Sequence, residues 1–188
     1  MKKHLITAVL YTAVTAVLFG IVYPLAVTGV AGLLFPRQAN GSLITQNGQL
    51  VGSSLLGQAF TGPAYFHSRP SAAGTGYDAG ASGGSNLGPT SKALIDRTNA
   101  SVATEAASGQ PVPIDLVTAS GSGLDPDITP AAADYQVERI AAQRHIAAPV
   151  LQQLVHDHTT PRQFGLLGEA RVNVLQLNLA LDALPRGR

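Results

Sequence analysis

Ser82, Gly83, Gly84, Ser85 and Asn86 form the segment closest to binding chemistry in this 188-residue chain. Adjacent glycines let backbone N–H groups converge on an anion, and the flanking Ser and Asn add side-chain donors. A Gly-Ser loop with no ligand is the plainer account of the same residues. His156, Asp157 and His158 are the nearest approach to a metal cluster. On a continuous helix the two histidines point about 200° apart, so a solvated helix end fits better than a shared ion. Asp125 and Asp127 lie in Gly123-Leu124-Asp125-Pro126-Asp127 without the further oxygen ligands and spacing of a calcium loop. A turn feeding the next helix is expected there. The sequence has no GxxxxGK[ST] phosphate loop, no HExxH pair and no cysteine, and no metal site is assigned.

The elements that would position these residues begin with an uncharged run over residues 5–35. About 20 apolar residues already cross the roughly 30 Å hydrocarbon core as a helix. The run therefore predicts a retained membrane span rather than a cleaved signal, although Gly29-Val30-Ala31 offers small residues at a plausible cleavage site. Lys2 and Lys3 precede the span, and Arg37 alone follows it closely. The positive-inside rule then keeps residues 1–4 cytoplasmic and exports 36–188. Ala8, Thr12, Ala16 and Gly20 recur every four residues as a strip of small side chains suited to a partner helix. Pro24 removes a backbone donor and predicts a kink near Gly20.

The exported part is long enough for one domain with its own core. Charged residues make up 12% of the chain and its net charge is +1, which leaves no footprint for nucleic acid and no polybasic membrane patch. Asn47-Gly48 separates two apolar segments and predicts a hairpin over residues 42–52. Residues 53–89 are rich in Gly, Ser, Ala and Pro but carry Phe60, Tyr65, Phe66 and Tyr77, so an ordered irregular loop is expected. A helix follows over about 90–107 with Gly109 as its stop, then a buried strand over 116–119. Thr129 caps a helix opening at Pro130, another starts near Ala148-Pro149, and Arg171-Val172 reads as a short strand. Asn173 caps a last helix carrying Leu175, Leu179 and further leucines to Leu184. The fold class is α+β: one N-terminal transmembrane helix followed by a small mixed α/β extracytoplasmic domain.

Several segments together resemble a known family. QANGSL at 38–43, GQAFTG at 57–62, YFHSRPSA at 65–72, ASGGSNLGP at 81–89, VTASGSGLDPDITPAAA at 117–133 and VNVLQLNLALD at 172–182 are similar to the C subunit of the Kdp-type potassium-transporting P-type ATPase. The resemblance implies an accessory subunit of a bacterial high-affinity potassium uptake complex in the cell (inner) membrane. Its implied partners are a channel-like potassium-binding subunit, a P-type ATPase subunit and a small stabilising subunit. The chain has neither DKTGT nor a TVGYG-like filter, so the chemistry is expected in those partners.

The resemblance also implies a catalytic chaperone that raises the ATP affinity of the ATPase subunit through a transient ternary complex. ATP is cytoplasmic, whereas the topology places Ser82, Gly83, Gly84, Ser85 and Asn86 outside. They stand as nucleotide candidates with a structural loop as the favoured role, and no cofactor is expected to be held firmly. The exported domain is expected to dock on the outer face of the potassium-binding subunit, with Tyr65, Phe66, His67, Ser68, Arg69 and Pro70 as a docking or loop-fixing segment. Arg69, the one Lys or Arg in residues 53–89, suits a specific polar pairing with a partner, or an internal contact to a carboxylate or carbonyl that fixes the loop. The alternative from another class is a membrane-anchored extracytoplasmic protein binding a small anion through the Gly-Ser loop.

Overall fold

A computed structural model describes residues 1–106 and 110–185. The chain forms two compact units, Met1–Ser53 and Ser54–Arg188.

The first unit is dominated by a 33-residue apolar helical stretch, Lys2–Leu34, long enough to cross a membrane. It comprises α1 (Lys2–Val17), a π-helical turn (Leu18–Val22) and α2 (Tyr23–Leu34), and none of its residues is buried within the chain. Pro24 explains the π-turn: with no N–H and with a ring that crowds the preceding turn, it disrupts α-helical bonding one turn earlier. Gly20 lies within that turn, where the sequence predicts the kink. A four-residue helix α3 (Pro36–Ala39) leads to strands β1 (Leu43–Gln46) and β2 (Gln49–Ser53). They pair antiparallel around Asn47 and Gly48, whose φ values of 52° and 77° are those a tight hairpin turn needs. The first compact unit ends with this hairpin.

The second unit opens with the long irregular segment, without helix or strand from residue 54 to 91. Helix α4 (Lys92–Glu105) follows. The expected extension to Ala107 and the stop at Gly109 lie outside the described residues. The strand expected over 116–119 is not there. A 3-10 turn, Ile114–Leu116, occupies its start, and Leu116 and Val117 are buried from a non-strand backbone. Pro111 and Pro113 just upstream disfavour ladder pairing, and a short apolar run carries no period of its own.

Strand β3 (Asp127–Ile128) runs into α5 (Pro130–Arg144), whose N-cap Thr129 accepts a hydrogen bond from Ala132 N–H at 3.2 Å. Helix α6 (Ala148–Asp157), strands β4 (Thr159–Thr160) and β5 (Arg171–Asn173), and helix α7 (Val174–Ala183) complete the unit. Asn173 caps α7 through Gln176 N–H. The sheet is antiparallel in the order β3-β5-β4. Its central Val172 joins Val137 and Ile140 of α5, Leu151 and Val155 of α6, and Leu177 and Leu181 of α7 in one core. Phe66 comes from the irregular segment, yet it is fully buried in that core.

Candidate functional site

Segment 62–71 has no ladder to satisfy its backbone, and buried peptide groups must find partners elsewhere. Two amide side chains supply them. Asn178 on α7 accepts from Phe66 N–H and donates to Phe66 C=O, each at 2.9 Å. Gln136 on α5 accepts from His67 N–H at 2.7 Å and donates to its carbonyl at 3.3 Å. Both amides are 1% exposed, so consecutive residues of the loop are held as a strand partner would hold them.

Two arginines extend this clasp. Arg139 donates to Pro63 C=O at 2.6 Å and Tyr65 C=O at 3.1 Å, and also to Gln136 Oε1 at 2.7 Å. Arg144 donates to Ala64 C=O at 2.7 Å and pairs with Asp182 at 2.8 Å. Its guanidinium carbon sits 4.6 Å from the Tyr65 ring centroid, and Tyr65 Oη donates to Asp182 at 3.2 Å. The planar, fixed donors of arginine suit several fixed carbonyls at once. The carbonyls of residues 63–67 are thus all received by side chains of α5 and α7.

The loop's own side chains are occupied as well. The His67 ring bridges Glu105 Oε1 at 2.9 Å and Gly62 C=O at 3.1 Å. That hydrogen bond from His67 holds the Glu105 carboxyl below its ordinary range against the opposing effect of burial. Ser68 donates to Gln58 C=O at 3.1 Å. Arg69 pairs with Asp125 at 3.0 Å and reaches Thr118 Oγ1 at 3.5 Å, while its carbonyl accepts from Tyr77 Oη at 2.6 Å. Asp125 is thus the carboxylate that Arg69 meets within the chain. Burial pushes the Tyr77 hydroxyl up from its ordinary pKa. Asp127 pairs with Arg171 at 3.0 Å, so both carboxylates of the 123–127 segment serve ion pairs, and Asp127 opens β3 rather than lying in a turn.

The Gly-Ser segment lies against the same buttress, residues 118–125. Ser82 Oγ and Gly83 N–H both donate to Ser122 C=O, at 3.0 and 2.8 Å. A Cβ on Gly84 would approach Gly121 O at 3.0 Å, so close backbone packing accounts for that glycine. Asn86 adopts φ 51°. Gly80, Ser82 and Gly84 match a G-x-S-x-G spacing, but no strand precedes Ser82 and no helix follows directly. Its hydroxyl is engaged with a carbonyl, so the setting of a nucleophile elbow is missing.

His156 and Asp157 stand exposed at the end of α6, and His158 Nδ1 bonds back to Leu154 C=O at 2.9 Å. Among the described residues no three His, Asp or Glu side chains gather as a metal site. Gln136 and Asn178, the centre of the clasp, went unnoticed in the sequence. The signal was present: both fall in apolar helical stripes, with Ala132, Ala133, Val137 and Ile140 on α5 and Val174, Leu177 and Leu181 on α7. In the first unit, Ala8, Thr12 and Ala16 stand on α1, and Gly20 in the π-turn.

A sequence profile of the family described as K+-transporting ATPase, c chain, matches residues 5–183. The chain is 61% identical to the potassium-transporting ATPase KdpC subunit of Acidobacterium capsulatum, over 97% of this chain and 99% of that one. It is 58% identical to the KdpC subunits of Koribacter versatilis and Rhodospirillum rubrum, over 97% of this chain and 95% and 96% of theirs. With a profile and near-full-length relatives in agreement, the chain belongs to the KdpC family, the c chain of K+-transporting ATPases.

Proposed function

We propose that the protein is a non-catalytic accessory chain of an ATP-driven potassium uptake complex, tethered in the bacterial inner membrane and acting through a folded extracytoplasmic domain. The observation that carries this reading is the 33-residue apolar helix with no residue buried in its own chain, in a family whose relatives are named as subunits of a potassium-transporting ATPase. A helix so bare has lipid or other helices as its surroundings. Lys2 and Lys3 favour a cytoplasmic start. The π-turn winds less per residue than an α-turn, which slows the drift of the small-residue strip from Ala16 to Gly20 and supports its use as a packing face.

The clasp supports the accessory role from the other direction. Its His, Arg and carboxylate groups are engaged in holding one loop, which leaves no nucleophile–base pair to name. The domain docks over the outer face of the potassium-binding subunit, where it stabilises the assembly or shapes ion entry. Ser82, Gly83, Gly84, Ser85 and Asn86 act as a loop packed on Ser122, and a chaperone effect on ATP affinity would be transmitted through assembly rather than through nucleotide held by these residues. Deleting residues 36–188 while keeping the span tests the proposal. Loss of co-purifying subunits and of potassium uptake is expected; unchanged assembly and transport would overturn it, and protease protection of the domain in inside-out vesicles checks its sidedness.

A further inference from the structure

The connection between β4 and β5 closes into a tip that carries exposed apolar side chains. Phe164 is 86% exposed, Leu166 80% and Leu167 60%. Reciprocal backbone bonds between Gln163 and Leu167, at 2.8 and 2.9 Å, close the tip, and Arg162 pairs with Glu169 at 2.5 Å across its base. Phe164 takes φ 55°, a left-handed conformation that a bulky side chain adopts at a cost of about 1–2 kcal/mol. Conformational cost and apolar exposure thus coincide on one residue that the core does not use.

We propose that Phe164, Leu166 and Leu167 form a docking wedge that enters an apolar recess on another chain of the potassium-transporting ATPase. This rests on the accessory-chain reading and adds to it the contact through which the domain docks. Charge argues against an anionic lipid surface as the occupant, because Arg162 and Arg171, the cations flanking the tip, are both in ion pairs and interfacial loops draw much of their affinity from free basic residues. Area argues against a second copy. The three side chains offer roughly 400 Å², about half of what one partner contributes to a stable self-standing interface. A small contact suffices where a membrane helix already holds the two chains at high effective concentration. The closed tip also loses little freedom on docking, which lowers the cost of a small interface.

The test uses the full-length chain expressed with the other chains of its complex. A photoreactive phenylalanine in place of Leu166 should crosslink to another chain of the assembly; adducts only to lipid, or only to a second copy of this chain, overturn the proposal. The double variant F164S/L166S should lower retention of the other chains about 30-fold, the loss of one interfacial hot spot, while thermal unfolding of the purified chain in detergent stays at or above wild type. Deletion of residues 36–188 separates the two readings. If the deletion spares assembly, the accessory reading fails; if it disrupts assembly and F164S/L166S does not, the wedge alone fails.

Discussion

Replacing Asn178 with leucine sets packing against hydrogen bonding at the most enclosed point of the clasp. Leucine is close in volume and matches the apolar stripe of α7, so packing alone predicts a neutral change or a gain. Yet Asn178 is 1% exposed, and its amide is the partner of both backbone groups of the fully buried Phe66. Leaving a buried N–H and a buried C=O unpaired costs about 1–3 kcal/mol each, or roughly 1–5 kcal/mol together after the gain in apolar contact is set against it. For a chain of this length 1 kcal/mol moves Tm by about 2–4 °C. Circular dichroism of the full-length chain in detergent should therefore show Tm lower by at least about 2 °C.

Asn178→Asp sharpens the test because it keeps the acceptor and turns the donor into a second oxygen facing the Phe66 carbonyl. Burial without a cation raises the folded pKa of such a carboxyl above its unfolded value of about 3.9. The penalty is then complete above the folded pKa and vanishes as pH falls to the unfolded value, where the protonated group can donate again. A leucine variant within about 0.5 kcal/mol of wild type, together with an aspartate variant whose deficit ignores pH, would refute the claim that this amide fixes the loop.

Two further perturbations probe the same loop. Glu105 has its carboxyl held below the ordinary value of 4.5, first by the His67 hydrogen bond, so its contribution is present above that pH and is lost as pH falls through the lower folded value. In urea unfolding, wild type should exceed E105Q at pH 7, and the gap should close toward pH 3; a gap independent of pH refutes the pairing. Gly123→Ala puts a Cβ 2.6 Å from both Ala73 N and Gly83 O at φ 67°, backbone against backbone, and should cost more than about 2 kcal/mol. Gly165→Ala, at φ 74° with nothing within 4 Å, is the control that bears only the conformational term of about 1 kcal/mol.

Elements with a chemical mark at their boundary were legible in the sequence. Asn47-Gly48 announces its hairpin, Thr129-Pro130 the start of α5, Asn173 the cap of α7, and the uncharged run its long apolar helix. Two-residue strands such as β3 and β4 are too short to carry a period. The misread strand after Ile114 follows the same logic, because Leu116 and Val117 are buried from a turn whose Asp115 accepts from Thr129 N–H at 2.8 Å. Burial alone does not distinguish a turn from a ladder.

The clasp was half visible, and the half that was missed explains why the loop is ordered at all. Aromatic residues give segment 54–91 something to bury, which accounts for Phe66 reaching the core. They do not account for its peptide groups, which would each forfeit their bonds to water on entering. An apolar stripe interrupted by one amide, as at Gln136 and Asn178, signals a helix that buries a backbone lacking a ladder of its own. That pattern turns an apparent flaw in amphipathicity into a prediction that α5 and α7 each receive buried backbone, and the hydrogen bonds identify that backbone as residues 66 and 67. The converse holds at the β4–β5 tip, where Phe164 and Leu166 stand largely exposed, and that unburied apolar surface is what the proposed docking wedge would use.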